Sequence, residues 1–121
     1  MAIQNHGHLG PFLVIGLKMD VAAKNILKTI DLCRIQTIPS KPYTCTLDGV
    51  KTVLNSVETH IEKGNGVAAT FKGEGEQVRI YLKREALEYY GAVTWRLCRE
   101  YAIKALKEND ENLFILNRTI V

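Results

Sequence analysis

The sequence has neither a long hydrophobic run nor a framework of cysteines. The apolar run from Phe12 to Leu17 is far shorter than the roughly 20 residues of a membrane-spanning helix, and no basic segment typical of a signal peptide precedes it. The three cysteines, Cys33, Cys45 and Cys98, are odd in number and widely spaced. This spacing excludes both a disulfide framework and a Cys-x-x-Cys zinc ribbon. We therefore expect a soluble, cytoplasmic protein with reduced thiols and no membrane association.

The chain also lacks a strong excess of one charge. It carries 16 Lys and Arg against 13 Asp and Glu, and the basic residues are scattered among the acidic ones, which is weak support for nucleic-acid binding. No glycine-rich phosphate loop is present, because Gly73 and Gly75 lack the strand-to-helix context that such loops require. A length of 121 residues with 46% hydrophobic and 24% charged composition predicts one globular domain spanning residues 1–121.

What the sequence does contain is a pair of histidines, His6 and His8, placed just before an apolar segment. In an extended backbone, alternate side chains share one face, so these two imidazoles can point at one spot. Gly10 and Pro11 are typical of the start of a helix. The positive end of that helix favours neutral imidazole, which binds metal or accepts a proton. The alternative is a pair that is merely solvated or hydrogen-bonded.

A second candidate lies at the start of the next predicted helix, which Thr44 is expected to cap. Cys45 is in its first turn, where the helix dipole lowers a thiol's pKa and makes thiolate available as ligand or nucleophile. Asp48 follows three residues later on nearly the same face. The alternatives are a first-turn acid favoured by the dipole and a cysteine that acts as a small buried hydrophobe. Cys33 and Cys98 fit the buried-hydrophobe interpretation better.

Hydrophobic periodicity predicts an α+β fold with a mixed, mostly antiparallel sheet. The predicted order is a helix, a strand, a second helix, a hairpin of two strands, a third helix that is broken near Gly91, and a last strand. These elements span residues 11–29, 32–38, 45–57, 67–72, 77–82, 84–107 and 113–116. A hairpin placed between helices, rather than strict alternation, favours α+β.

The first predicted helix is apolar on every side in its first half. It is therefore expected to be buried all round, either as a central helix against the sheet or partly against a second subunit. Gly16 within it is tolerated where another backbone comes close. The third helix is expected to bury one side, comprising Leu87, Ala92, Trp95, Ala102, Ile103 and Leu106.

Three segments together resemble the E-subunit family of formylmethanofuran dehydrogenase. They are His6-Gly7-His8-Leu9-Gly10-Pro11 with Ile15 to Met19, then Cys45-Thr46-Leu47-Asp48-Gly49-Val50-Lys51, then Gly64-Asn65-Gly66 with Val78 to Lys83. The resemblance covers roughly residues 5–83. It implies an α+β core that forms homodimers, and a site in which His6, His8 and Cys45 hold a metal ion beside Asp48. It also implies a link to molybdenum- or tungsten-dependent formylmethanofuran chemistry in an archaeal, methanogenesis-type one-carbon pathway.

The sequence departs from the family pattern at two cysteine positions and in one module. The family usually has cysteine where Gly10 stands and another close to Asn55 and Ser56, and the C-terminal zinc finger of some members is absent because Cys98 stands alone. Two imidazoles, one thiolate and a nearby carboxylate remain. This donor set suits Zn²⁺ or a similar borderline ion, with room for water if only three protein ligands bind.

The leading functional hypothesis is a dimeric metal-binding accessory protein that works with the subunits of a molybdenum or tungsten formylmethanofuran dehydrogenase. An alternative is a small stand-alone enzyme. In one version a metal-bound water reacts and Asp48 or Lys41 transfers protons. In the other Cys45 is a nucleophile with His6 or His8 as its base.

A third hypothesis is a nucleic-acid-binding module. It would use the outward face of the predicted hairpin, where basic residues lie beside an aromatic ring. The residues concerned are Arg79, Tyr81, Lys83 and Arg84. An ordinary solvated sheet face is the preferred interpretation of this pattern.

Overall fold

The computed structural model describes residues 10–54 and 57–120. His6, His8, Asn55 and Ser56 lie outside the described residues. The elements in chain order are α1 (Pro11–Ile26), β1 (Leu32–Thr37), α2 (Cys45–Val53), β2 (Glu58–Lys63), β3 (Ala68–Gly73), β4 (Glu76–Leu82), α3 (Arg84–Gly91), a 3-10 turn (Trp95–Leu97), α4 (Cys98–Lys107), α5 (Asp110–Leu113) and β5 (Phe114–Ile120). These elements confirm the predicted α+β class.

The five strands form one sheet in the order β2-β1-β3-β4-β5. β1 pairs with β2 in parallel, and the other three pairings are antiparallel. The predicted hairpin is confirmed as β3 and β4. Val78, Ile80 and Leu82 of β4 point into the core, while the alternate residues of that strand remain partly exposed. The sheet is thus mixed and mostly antiparallel, as predicted.

The sequence did not reveal strand β2. The helix expected to reach Val57 ends at Val53, and Glu58–Lys63 then forms an edge strand beside β1. This segment has only one large apolar side chain, Ile61, and charged residues on both faces, so alternation does not identify it. Its backbone ladder with β1, a contact distant in sequence, makes it a strand.

Helix α1 is the central helix of the molecule. Phe12, Leu13, Val14, Ile15 and Gly16 are all buried, and the helix packs against α2, α4 and the apolar face of the sheet. The burial predicted for its first half is thus provided within the chain itself.

Two glycines allow α1 and α2 to touch backbone to backbone. A Cβ atom at Gly16 would collide with the carbonyl oxygen of Thr46, and one at Gly49 would collide with that of Leu13. The close backbone approach predicted at Gly16 is confirmed, and α2 is the partner.

The predicted third helix is broken, as expected, into α3, the 3-10 turn and α4. Its predicted buried side is only partly correct. Leu87 and Ala102 are buried, but Trp95 is 72% exposed, and Ala92, Ile103 and Leu106 are also exposed. The break rotates the helical face, and α4 then buries only the small residues Ala102 and Ala105.

Lys18 of α1 fixes the far end of α4. Its ammonium group donates hydrogen bonds to the carbonyl oxygens of Ala105, at 3.0 Å, and Glu108, and it lies 3.3 Å from a carboxylate oxygen of Asp110. A cation at the C-terminus of a helix satisfies carbonyl groups that have no partner within the helix. This contact holds α4, and with it Cys98 at its start, against the central helix.

Among the described helices, none combines the length and the apolar character needed to cross a membrane.

Candidate functional site

A cavity of about 230 Å³ opens where three helices begin. The first residues of α1, α2 and α4, namely Pro11, Cys45 and Cys98, all line it. Lys41 is the charged residue of the lining, and the remaining walls are glycine and apolar side chains: Gly10, Phe12, Pro42, Val93 and Trp95. Helix N-termini carry partial positive charge, so this arrangement favours a negatively charged group in the cavity.

Cys45 is held in the wall of the cavity by its backbone. It is 8% exposed, and its N–H donates to the carbonyl oxygen of Pro42 at 3.1 Å. Within the described part of the chain, no hydrogen bond to its sulfur is found. Thr44 precedes the helix as predicted, but its side chain forms no capping hydrogen bond because its own backbone is already helical.

The pKa predicted for the Cys45 thiol is wrong in direction. Burial raises the pKa of Cys45, and the nearby Asp48 and Cys98 raise it further, while Lys41 lowers it. Loss of hydration is the largest contribution to this shift. Cys45 is therefore a neutral thiol that needs a positive partner to become a thiolate.

Cys98 lies on the same cavity, which the sequence did not indicate. It is half-buried, and its sulfur lies 3.5 Å from the carbonyl oxygen of Thr94, to which it donates. The expectation that Cys98 is a buried core residue is therefore wrong. The predicted break near Gly91 was the available signal, because a new helix after it can begin with Cys98.

Of the other candidate residues, the structure describes Asp48 but not His6 or His8. Asp48 is close enough to Cys45 to raise its pKa, but it lies outside the lining of the cavity, and its own backbone oxygen accepts from Thr52 at 2.7 Å. His6 and His8 lie outside the described residues. Gly10, two positions after His8, does line the cavity.

The thiols of this cavity fit part of a metal site. Cys45 and Cys98 supply two sulfur donors. Zn²⁺ in structural sites is commonly coordinated by four donors, which are cysteine sulfur and imidazole nitrogen atoms. Among the described residues, no group of three or more His, Cys, Asp or Glu side chains is arranged to hold a metal ion. A complete site at this cavity therefore requires donors from the preceding segment.

Cys33 has a structural role. It is completely buried in β1, away from the cavity, and burial with a contribution from Asp20 raises its pKa to about 12. This confirms the buried-hydrophobe interpretation for Cys33.

The outward face of the sheet carries the residues of the nucleic-acid hypothesis. Arg79 donates to the side-chain oxygen of Gln36 at 2.6 Å and lies 4.8 Å from the ring centre of Tyr81, and Arg84 donates to the carbonyl oxygen of Asn65 at 3.1 Å. A shallow groove of about 540 Å³ runs beside Tyr81 and Arg84. Both guanidinium groups thus have partners within the protein itself.

Comparisons with known proteins identify a matching family model and a similar solved structure. Residues 5–119 match the family model FmdE, described as "Molybdenum formylmethanofuran dehydrogenase operon". The solved structure of a tungsten formylmethanofuran dehydrogenase FmdE-like protein from Syntrophus aciditrophicus aligns with a TM-score of 0.62 at 21% identity, over 99% of this chain and 69% of that one. No curated protein matches the chain. Because the family model spans nearly the whole sequence, the chain belongs to the FmdE family.

Proposed function

We propose that this chain is a metal-binding accessory protein in which His6, His8 and Cys45 hold one divalent ion such as Zn²⁺. It acts beside a molybdenum- or tungsten-dependent formylmethanofuran dehydrogenase in one-carbon metabolism. The family membership supports the setting, and the cavity between the three helix starts supports the site.

The observation that carries the proposal is the position of Cys45. The residue is 8% exposed and its sulfur has no hydrogen bond in the described part of the chain, yet Cys45 lines a cavity that Gly10 also lines. Gly10 follows His8 by two residues, a separation that the chain spans in about 7 Å when extended. This short separation along the chain is why we assign the His-x-His pair to the same site.

A bound divalent ion would change the ionisation of Cys45, and the thiolate formed would be the negative charge that the helix starts and Lys41 favour. Burial and Asp48 disfavour ionisation of Cys45, and a bound cation reverses that balance because thiols bind metal as thiolates. When bound, such an ion supplies Lewis acidity to any ligand in its open position. The apolar walls would exclude bulk water, and Lys41 would orient an anionic ligand.

The partners follow from the family name and from the surface. The FmdE name and the name of the similar structure both refer to formylmethanofuran dehydrogenase, which supports association with its subunits.

We also infer a homodimer formed through β5. This strand lies at the end of the sheet and exposes Ile115, Leu116 and Ile120, whereas β2 at the opposite end carries charges that discourage pairing.

A stand-alone metal enzyme is the second candidate, because the cavity leaves space beside Cys45 for a small ligand. The thiol-enzyme version is less favoured, since the raised pKa of Cys45 leaves little thiolate at neutral pH. The two versions differ in their inhibitors. A metal enzyme loses activity to a chelator and recovers with one ion, whereas a thiol enzyme loses it on alkylation of Cys45.

Equilibrium dialysis against Zn²⁺ under reducing conditions tests the proposed site. The wild type is expected to bind about one ion per chain, and His8→Ala and Cys45→Ala are expected to weaken binding by at least about tenfold, because each removes a direct ligand. Cys33→Ala is the matched control, since this cysteine lies in the core, and it should bind as the wild type does. Equal affinity in Cys45→Ala and the wild type would exclude the proposed site.

A further inference from the structure

The groove of about 540 Å³ beside Tyr81 and Arg84 has no part in the proposed metal site. It lies where one end of the sheet meets the start of α3, and the loop 64–66 forms one of its walls. All of its lining residues lie between positions 36 and 117, and none of them lines the cavity of Cys45. Its volume is in the range of pockets that hold small organic molecules.

The lining of this groove carries positive charge and no acidic side chain. Lys83 and Arg84 supply the charge, and within the described residues neither of them forms an ion pair. Arg84 donates to the carbonyl oxygen of Asn65 at 3.1 Å, which uses only part of a guanidinium group with five N–H donors. The groove therefore favours a negatively charged occupant.

The two cations also stand at the end of a helix where positive charge is unfavourable. Lys83 directly precedes α3 and Arg84 is its first residue, and no side chain of the described residues caps this helix start. The acid of the first turn, Glu85, lines a separate groove. An anion between the two cations would offset both their charges and the positive end of the helix.

The rest of the groove suits a planar ring. Tyr81 lines it on the sheet face opposite the core, with Ile115 as its direct partner on β5. Arg79 is not a lining residue, but its guanidinium carbon lies 4.8 Å from the centre of the Tyr81 ring, and it donates to the Gln36 side chain at 2.6 Å. These contacts hold the ring in place for stacking. Carboxamide side chains in the lining could bond to the polar edge of a heterocycle: Gln36, Asn65 and Asn117.

We propose that this groove binds a small phosphorylated heterocycle of mononucleotide size. The phosphate lies at Lys83, Arg84 and the start of α3, and the ring lies against Tyr81. This binding site goes beyond the proposed function and does not require the metal ion.

The charges on the sheet face favour one phosphate group over a nucleic-acid strand. A strand needs a track of free cations for its successive phosphates. Farther along this face, Arg79 is bonded to Gln36, and Arg34 lies 3.3 Å from a carboxylate oxygen of Glu62. The free positive charge of the groove thus comes from two consecutive residues.

Isothermal titration calorimetry with the four common ribonucleoside 5′-monophosphates tests the site. The matching nucleosides and inorganic phosphate are the probes for the two halves of the ligand, and the titrations are repeated with EDTA. Wild-type protein is compared with the double variant Lys83→Gln/Arg84→Gln and with Tyr81→Leu. Lys51→Gln is the matched control, because Lys51 is an exposed cation outside the groove. Circular dichroism checks that each variant is folded.

At least one monophosphate is expected to bind about tenfold more tightly than its nucleoside or inorganic phosphate, with or without EDTA. The double variant should lose at least about tenfold in affinity through the lost phosphate contacts. Tyr81→Leu should lose a similar factor through the lost stacking, and Lys51→Gln should bind as the wild type does.

The inference would be overturned if no monophosphate binds, or if the folded double variant keeps the wild-type affinity. Inorganic phosphate binding as tightly as the monophosphates, with Tyr81→Leu unchanged, would reduce the groove to a simple anion site and contradict the proposed ring contact. Binding of oligonucleotides alone would assign the face to nucleic acid, and binding lost in EDTA would assign the ligand to a metal ion. Failure of the protein to bind Zn²⁺ would contradict the proposed function and leave this inference standing.

Discussion

At the scale of single residues, Asp20 is an acidic side chain in an environment that disfavours its charged form. It is completely buried in α1, and within the described residues neither carboxylate oxygen has a hydrogen-bond partner. Burial raises the pKa of Asp20 to about 8, although Lys24 acts in the opposite direction. Asp20 is therefore an uncharged carboxylic acid in the folded protein at neutral pH.

This burial predicts a dependence of stability on pH. Between pH 4 and 8 the folded state keeps a proton on Asp20 that the unfolded chain has released, so the free energy of unfolding should fall as pH rises, by roughly 1.4 kcal/mol per pH unit. The contribution is fully present below the ordinary carboxyl pKa and is lost as pH approaches about 8. Urea unfolding at several pH values measures it.

The variant Asp20→Asn should remove this slope and stabilise the protein at pH 8, because its side chain carries no charge to bury. Asp31→Asn is the control, since Asp31 is exposed, and it should keep the wild-type slope. Equal slopes in Asp20→Asn and the wild type would show that the Asp20 carboxyl is not responsible.

Single residues also show what the sequence can and cannot predict about the site. The position of Cys45 at a helix start was predictable, because the loop with two prolines and the apolar spacing after it are local signals. The direction of its pKa shift was not, since it depends on burial by distant segments. The place of Cys98 depends on how α4 docks on α1, which no local pattern encodes.

At the scale of elements, the contact between α1 and α2 sets where the cavity forms. Gly16 and Gly49 let the two helix backbones meet, which places the start of α2 beside the start of α1. Any side chain at either position would separate the helices. The separation would move Cys45 relative to Gly10.

Gly16→Ala is therefore expected to destabilise the protein by about 1–3 kcal/mol through overpacking, even though alanine favours a helix. It should also weaken metal binding. Chemical denaturation gives the loss of stability, and the Zn²⁺ dialysis gives the change in affinity.

Gly66→Ala is the control for this substitution, since a methyl group there makes only ordinary contact with Leu87. Its stability and Zn²⁺ affinity should stay close to those of the wild type. If Gly16→Ala is as stable as Gly66→Ala, the close approach of the two helices is not a constraint.

The helices and strands also show which sequence patterns predict secondary structure well and which do not. Helix α1 and the β3–β4 hairpin were predicted close to their actual bounds, because their apolar residues follow the helical and strand periods. Strand β2 was missed because its sequence is polar on both faces and the pairing with β1 defines it.

At the scale of the whole molecule, the two edge strands of the sheet, β5 and β2, differ in the polarity of their exposed side chains. β5 exposes Ile115 and Leu116 at one end, and within the described residues no strand covers its outer edge, whereas β2 at the other end is mostly charged. An edge strand with exposed apolar side chains is a template for pairing with a second copy.

Sedimentation velocity tests the dimer that this difference predicts. Wild-type protein should sediment as a dimer, and Leu116→Lys should shift it toward monomer, because a charge would be buried at the interface. Ile61→Lys changes an exposed apolar residue at the opposite edge and should leave the dimer intact. Dissociation by Ile61→Lys but not by Leu116→Lys would contradict pairing through β5.

The fold class was predictable from the sequence because the order of helices and strands limits the possible arrangements. The meeting of three helix starts at one cavity was not, since Pro11, Cys45 and Cys98 are brought together by tertiary packing. The candidate site is thus a property of the whole molecule.

The most direct test of the proposed metal site is X-ray absorption spectroscopy at the zinc edge on the loaded wild-type protein. The predicted result is one shell of imidazole nitrogen at about 2.0–2.1 Å together with sulfur at about 2.3 Å, with less sulfur in the shell of Cys45→Ala. A zinc shell without sulfur in the wild type would contradict the claim that Cys45 and the histidine pair share one ion.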